Sequence, residues 1–225
     1  MPASRSKTRG GASGTLQRLN YVWLLASLLL LLLISAWFDG APNQGAFILT
    51  PLLSLVLIAT VFALSERRRD LNVAGMVAVA WLILTWGTIG TSELALEVAE
   101  RLLLISLNVY AIGVILGEIL TKDREIDLNL MAGTLAVYML LGVTWAVCYD
   151  LMEEISPASF DLPDEDQYSR WNQLLFFSFT TLTTLGYGDI TPASALARIM
   201  SVIEAMTGTL FVAVMIARTV SLLKR

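Results

Sequence analysis

The sequence predicts an all-α integral membrane protein with six transmembrane helices, and two of its features carry this prediction. Of its 225 residues, 56% are hydrophobic and only 15% are charged, whereas a soluble domain is about 45–50% apolar. Runs of about 18 or more apolar residues are long enough to cross a bilayer as helices. Six such segments occur, at residues 21–38, 46–65, 71–92, 102–120, 128–149 and 193–223.

Basic residues outside these segments predict the orientation of the chain. Lys and Arg in short loops stay on the cytoplasmic side, and the basic clusters all fall on one side of a six-span topology. We therefore expect a multi-pass protein of the cell membrane (plasma or inner) with both termini cytoplasmic and residues 1–20 disordered. The cluster between the second and third spans either contacts anionic lipid headgroups or only sets the topology. The clusters are Arg5, Lys7, Arg9 and Arg18; Arg67, Arg68 and Arg69; Lys122 and Arg124; and Lys224 and Arg225.

A seventh apolar segment, at residues 171–183, is too short to cross a membrane. As a helix it would be about 20 Å long at about 1.5 Å per residue, against a hydrocarbon core of about 30 Å. It is followed by a Gly-x-Gly turn, Gly186-Tyr187-Gly188, and lies between the fifth and sixth spans. Irregular backbone at membrane depth is tolerated where protein buries it or where it lines a water-filled path. The pattern therefore predicts a re-entrant pore helix and loop.

The residues of this loop suit the binding of dehydrated potassium ions. Backbone carbonyl oxygens replace the water of a potassium ion without adding net charge, and turning successive carbonyls toward one axis requires left-handed backbone, which glycine adopts readily. We expect K⁺ to be bound at Thr184, Leu185, Gly186 and Tyr187, with Gly188 completing the selectivity filter. The Thr184 hydroxyl can add a further ligand for the ion. The side chains of Leu185 and Tyr187 are expected to pack behind the filter. The pore helix is expected to point its C-terminal, partly negative end at the ions.

The heptapeptide from Thr183 to Asp189, Thr-Thr-Leu-Gly-Tyr-Gly-Asp, resembles the signature of the potassium channel superfamily, with Leu185 where Val or Ile is commoner. The likeness runs from about Leu128 to Leu223 and includes Asp189 and Pro192 after the filter. The resemblance implies a homotetramer, in which three identical subunits and membrane lipids are the partners of each chain. It divides the chain into a cytoplasmic segment (1–20), a four-helix transmembrane domain (21–120) and a pore domain (128–225) of outer helix, pore helix, filter and inner helix.

The resemblance also suggests roles for residues around the filter. Thr183 and Asp189 flank it as support, and Gly208 falls where many members carry a glycine proposed as a gating hinge. In the family register, one stripe of the last helix lines the cavity below the filter, although the same spacing fits ordinary packing. This stripe consists of Thr209, Val212 and Ile216.

An ionisable residue, Glu204, lies inside the last apolar segment about one turn before Gly208. Such a group is costly in a membrane and usually faces a partner inside the bundle. We expect it to hydrogen-bond behind the filter, to Thr180 or Thr181, or to stay protonated. It is either a buried structural residue or part of the gate, and in the second case Glu204→Gln changes the pH dependence of opening.

The loop after residue 149 is strongly acidic. Its seven acids outnumber its single base, Arg170, and they either raise the local cation concentration at the pore mouth or form a solvated turret that salt screens within about 8 Å. The solvated turret is favoured for most of these acids. Asp189, which lies next to the filter, is the exception, because it is expected to attract cations. The acids are Asp150, Glu153, Glu154, Asp161, Asp164, Glu165 and Asp166.

Steep voltage gating is not expected, although six spans with a pore loop before the last is the layout of voltage-gated channels. A voltage sensor needs several regularly spaced basic residues, each worth about 2.3 kcal/mol per 100 mV. The fourth span offers only Arg101, at its start. The chain also ends two residues after Leu223, so no cytoplasmic ligand-binding domain is expected.

These observations predict passive, potassium-selective conduction, with no cofactor, no nucleic acid and no enzymatic activity. The single cysteine excludes an intrachain disulfide, and the absence of histidine excludes a His-based metal centre or acid–base dyad. Three alternatives stay open. A weakly selective cation channel commonly lacks the filter tyrosine, whereas Tyr187 is present; a potassium transporter usually carries four non-identical loops per chain; and a non-conducting scaffold leaves the filter unexplained.

Overall fold

The computed structural model describes residues 20–37, 45–64, 68–87, 93–121, 127–163 and 169–223. The predicted disordered segment lies outside these residues, except for Asn20. The acidic residues Asp164, Glu165 and Asp166 also lie outside the described residues. Of the basic residues expected to orient the chain, only Arg68 and Arg69 lie within them.

The described chain is almost entirely helical, as predicted. Long apolar stretches favour helices, because only a helix satisfies its own backbone inside a membrane, and α2 continues through Pro51. Seven helices and two very short strands follow one another: α1 (Asn20–Trp37), α2 (Gly45–Ala63), α3 (Arg68–Gly87), α4 (Leu94–Thr121), α5 (Leu128–Ile155), β1 (Phe160–Asp161), α6 (Arg170–Leu182), β2 (Thr191–Pro192) and α7 (Ala195–Leu223).

Four of the described helices are long and apolar enough to cross a membrane. They are α3, α4, α5 and α7, with candidate spans Asp70–Gly87, Leu94–Thr121, Leu128–Ile155 and Ala195–Leu222. Asn20–Ser35 in α1 and Leu53–Ala63 in α2 are apolar helical stretches that are shorter than a span. Four candidate spans are thus found, and the six-span topology stays a prediction.

The first four helices and the pore-domain helices share one hydrophobic core. Helices α1 to α4 pack on their sequence neighbours, and both α1 and α4 also pack against α5. The core contains residues of all five helices, among them Leu28, Trp81, Leu107 and Leu140, and it includes Met215 of α7. The first four helices therefore pack directly on the outer helix α5, and the division of the chain into two transmembrane domains stays a prediction.

A second, smaller core holds together the segments on either side of α6. The strands β1 and β2 pair antiparallel, with Phe160 opposite Pro192. The rings of Tyr149, Phe160 and Phe177 pack edge to face with centroids 5.1–5.3 Å apart. The chain after α5 is thereby fastened to the chain that follows residues 183–189.

Candidate functional site

The short helix α6 begins and ends within one residue of its predicted bounds. Ser169 caps its first turn, since its hydroxyl accepts a hydrogen bond from the Asn172 N–H at 3.4 Å. At the other end the Phe179 carbonyl accepts two hydrogen bonds from Thr183, one from its N–H at 3.1 Å and one from its hydroxyl at 2.7 Å. The C-terminal end of α6 thus leads directly into residues 183–189.

The backbone of the predicted filter alternates in handedness. Thr184, Gly186 and Gly188 have φ angles of 59°, 53° and 82°, while Leu185 and Tyr187 between them do not have positive φ. The left-handed backbone predicted for both glycines is confirmed. Thr184 has the same conformation, although it is unfavourable for a β-branched residue, and the sequence did not predict it. Leu185 and Gly186 donate their N–H groups to the Thr180 carbonyl at 2.8 and 3.1 Å, which anchors the start of the segment on α6.

Residues 183–189 are all exposed in the isolated subunit. One side chain of the segment packs back on α6: the Tyr187 ring stacks on Phe176, with centroids 6.0 Å apart and planes 5° from parallel. Leu185 is 56% exposed, so its packing behind the filter stays a prediction. Asp189 is exposed, and its carboxylate accepts a hydrogen bond from the Ile190 N–H at 3.1 Å.

Gly208 lies where α7 crosses closest to the end of α6. A Cβ atom at this position would overlap the carbonyl oxygen of Leu182, the last residue of α6, and would lie 3.0 Å from its carbonyl carbon. The same oxygen accepts a hydrogen bond from the Tyr138 hydroxyl at 3.2 Å. α7 is helical without a break through Gly208. This glycine therefore allows two backbones to approach closely, and its role as a hinge stays a prediction.

Glu204 is completely buried, as the sequence implied, but its predicted partners are wrong. Its carboxyl group contacts the hydroxyls of Tyr149 at 2.5 Å and Ser178 at 2.6 Å. Thr180 instead donates to the Phe177 carbonyl in its own helix. The reason is the rotation of α6, which turns Ser178 toward α7.

A neighbouring stripe of α7 carries the residues expected to line a cavity. Thr209, Val212 and Ile216 are exposed, whereas Glu204 and Gly208 are buried against the rest of the subunit. The exposed stripe is thus available to face an axis or another subunit, and cavity lining stays a prediction for it.

The structure describes four of the acids predicted to be solvated or to attract cations, and the carboxylates of three of them are held in contacts. Asp150 and Glu153 are each only 8% exposed. The Glu153 carboxylate accepts hydrogen bonds from the N–H groups of Ala158 and Phe160 at 2.6 and 3.1 Å. The solvated-turret interpretation is therefore wrong for Asp150 and Glu153, because the chain that follows α5 folds back on the end of this helix and because arginines pair with Asp150. Glu154 is also paired.

Two arginines share the carboxylates of Asp150 and Glu154; we call these four residues the arginine–carboxylate cluster. Arg101 of α4 and Arg170 of α6 approach the two Asp150 oxygens at 2.6 and 3.0 Å. They approach Glu154 at 3.6 and 2.5 Å respectively. The cluster connects α4, α5 and the start of α6, so the basic residue at the start of α4 is held in ion pairs.

Sequence reasoning missed Tyr149, Ser178, Tyr138 and Phe176. The only available signal was indirect, since a glutamate in an apolar helix requires a polar partner, but nothing local says which hydroxyl supplies it. Among the described residues, no group of three His, Cys, Asp or Glu side chains could hold a metal ion.

Comparison with known proteins concerns the C-terminal part of the chain. A family model described as "Ion channel" matches residues 133–225. The chain is similar to the inward rectifier potassium channel Kirbac3.1 of Paramagnetospirillum magnetotacticum, with 30% identity over 98 residues. That match covers 43% of this chain and 30% of the relative, so the chain spans about a third of the relative's length. No solved structure matches the chain significantly.

Proposed function

We propose that this chain, whose residues 133–225 match an ion channel family model and which is similar to an inward rectifier potassium channel, is a member of the potassium channel superfamily and one subunit of a homotetrameric, potassium-selective pore. In this proposal K⁺ moves passively across the cell membrane, coordinated by the backbone carbonyls of Thr184, Leu185, Gly186 and Tyr187. Gly188 completes the filter. Both termini face the cytoplasm.

The alternating backbone at residues 184–188 is the observation that carries the proposal. A chain that alternates left-handed residues with ordinary ones can turn successive carbonyls to the same side, as a carbonyl-lined filter requires. Thr184, Gly186 and Gly188 have this left-handed conformation, and the segment is exposed in the isolated subunit. One segment per chain cannot surround an ion, which supports four copies around an axis.

The contact between Tyr187 and Phe176 favours potassium selectivity over a weakly selective cation pore. A stacked aromatic pair behind the backbone can hold the diameter of the filter, and such pairs contribute about 0.5–1.5 kcal/mol beyond their burial. The described residues contain a single filter segment, which favours a channel over a transporter built from four different loops.

Steep voltage gating is not part of the proposal. Arg101 is paired with Asp150 at 2.6 Å and lies on a helix, α4, that packs against α5. Moving this one charge would supply about 2.3 kcal/mol per 100 mV in each subunit, less than an array of gating charges. A conductance that rises steeply with depolarisation would contradict this part.

Reconstitution into planar bilayers tests the function directly. With potassium on one side and sodium on the other, we expect a reversal potential close to that of a potassium electrode. A reversal potential near zero would reject potassium selectivity. Complete absence of current at every voltage, pH and membrane tension would support the scaffold alternative instead.

Gly186→Ala is predicted to abolish selective conduction through backbone strain. Nothing lies within 4 Å of a Cβ at this position, so the substitution meets no steric obstacle in the subunit, but φ is +53°. Left-handed backbone costs a residue with a Cβ about 1–2 kcal/mol, and a tetramer carries the change four times. The measurement is the potassium-to-sodium permeability ratio, with Gly117→Ala in α4 as control, since that position is also open and has no positive φ. Wild-type selectivity in Gly186→Ala would contradict the assigned backbone.

A further inference from the structure

The buried carboxyl group of Glu204 takes part in a chain of three short contacts between oxygen atoms. Tyr149 Oη lies 2.5 Å from Glu204 Oε2, and Ser178 Oγ lies 2.6 Å from Glu204 Oε1. The same Ser178 Oγ lies 2.7 Å from the carbonyl oxygen of Gly142. We call these three side chains and the Gly142 carbonyl the Glu204 cluster.

Each of these three contacts needs a proton of its own. Oxygen atoms joined by a hydrogen bond are typically about 2.7–2.8 Å apart, and two oxygens this close without a proton between them would repel each other. Tyr149 and Ser178 each have one hydroxyl proton, and a backbone carbonyl has none. The two hydroxyls therefore supply protons for two contacts, and the third contact must receive its proton from Glu204.

We propose that Glu204 is a neutral carboxylic acid in the folded channel and donates its proton from Oε1 to Ser178 Oγ. Ser178 then donates to the Gly142 carbonyl, and Tyr149 donates to Glu204 Oε2. Every contact in the Glu204 cluster has one donor and one acceptor in this assignment.

An ionised Glu204 does not fit the same geometry. A carboxylate only accepts hydrogen bonds, so the single Ser178 proton would have to serve both Glu204 and the Gly142 carbonyl. The side chain is 0% exposed, and a buried charge is costly unless it is paired. Among the described residues no Lys or Arg side chain forms an ion pair with Glu204. Its contacts are the hydroxyls of Tyr149 and Ser178, and two further titratable groups of α5, the Cys148 thiol and the Tyr138 hydroxyl, feel its charge.

The cluster makes Glu204 a positioning residue for the filter. It joins α5 through Tyr149 and Gly142, α6 through Ser178, and α7 through Glu204 itself. About one turn further along α7, Gly208 meets the end of α6. The neutral acid thus holds the rotation of α6 from which the filter emerges. This consequence for conduction rests on the proposed function, whereas the position of the proton does not.

Infrared difference spectroscopy of the reconstituted, full-length channel at neutral pH tests the proton directly. The spectrum of the wild type minus that of Glu204→Gln should contain the C=O stretch of a protonated carboxylic acid. Ser178→Ala should move that band to higher frequency, because the acid loses its acceptor. Asp161→Asn, which removes an exposed carboxylate, is the control and should leave the band unchanged. A difference spectrum with carboxylate bands in place of the acid band would overturn the proposal.

Conservative replacement supplies the second readout. The Gln amide can accept from Tyr149 and donate to Ser178 as the neutral acid does, so Glu204→Gln should assemble and unfold at the wild-type midpoint. Glu204→Ala should lower that midpoint, because both hydroxyls lose a buried partner. A Gln variant that unfolds like the Ala variant, or fails to assemble, would also overturn the proposal. An acid band in a protein that does not conduct potassium would contradict the proposed function alone.

Discussion

Gly208→Ala is expected to prevent assembly of a conducting channel, although it adds a single methyl group. The added Cβ would overlap the Leu182 carbonyl oxygen, and this obstacle is backbone, so no side chain can rotate to make room. Overpacking in a core costs about 1–3 kcal/mol, occasionally more. Here either α7 must move outward or the end of α6 must shift, and the filter begins two residues after Leu182.

The measurements are the fraction of tetramer after detergent extraction and potassium flux into liposomes. Gly113→Ala and Gly117→Ala are matched controls, since both change a glycine inside helix α4 with nothing within 4 Å of the new Cβ. Alanine is favoured over glycine inside a helix by about 0.5–1 kcal/mol, so these variants should be as stable as the wild type or more so. Wild-type assembly with only the opening altered would favour the hinge role of Gly208 over the packing role.

A graded comparison comes from Gly142→Ala in α5. There the new Cβ would meet the ring of Phe179 at 2.7 Å, and an aromatic side chain can give way more readily than a carbonyl. The effect on assembly should therefore lie between those of Gly208→Ala and the α4 controls.

Asp150→Asn is expected to destabilise the subunit by about 1–3 kcal/mol, between the values for exposed and for fully buried ion pairs. The Asp150 carboxylate contacts both Arg101 and Arg170, so its neutralisation leaves two guanidinium groups competing for Glu154. The Asp150 side chain is 11% exposed and those of the arginines are 19% and 32% exposed. Solvent therefore weakens these pairs without removing them.

The unfolding midpoint of the solubilised channel measures this loss, with Asp161→Asn as the control on an exposed acid. A double-mutant cycle between Arg101→Gln and Asp150→Asn should give a coupling energy of about 0.5–3 kcal/mol, the range for residues in one network. High salt should reduce it, because partly exposed charges are screened. Additive effects of the two substitutions would show that α4 is not fastened to α5 through this pair.

Local sequence pattern predicted some features of this chain but not its contacts between remote segments. The positions of α6 and of the turn at Gly186 to Gly188 follow from local pattern, because a short apolar segment before a Gly-x-Gly turn has few structural solutions in a membrane. The partners of Glu204 do not follow, since Tyr149 and Ser178 lie 55 and 26 residues away along the chain. Contacts of this kind depend on how three helices are rotated about their axes, and apolar periodicity constrains that rotation poorly when nearly every position is apolar.

The sequence by itself determined that this is an apolar, helical chain with a short helix before a Gly-x-Gly turn that resembles the potassium channel signature, because length, hydropathy and backbone preference are local properties. It also predicted that Glu204 would be buried and that both filter glycines would be left-handed. Only the tertiary structure decided that Gly208 touches the end of α6, that Thr184 joins the left-handed alternation, and that Asp150 pairs with Arg101 and Arg170. Each of these depends on the distance between segments remote in sequence, which only the packing of the helices sets.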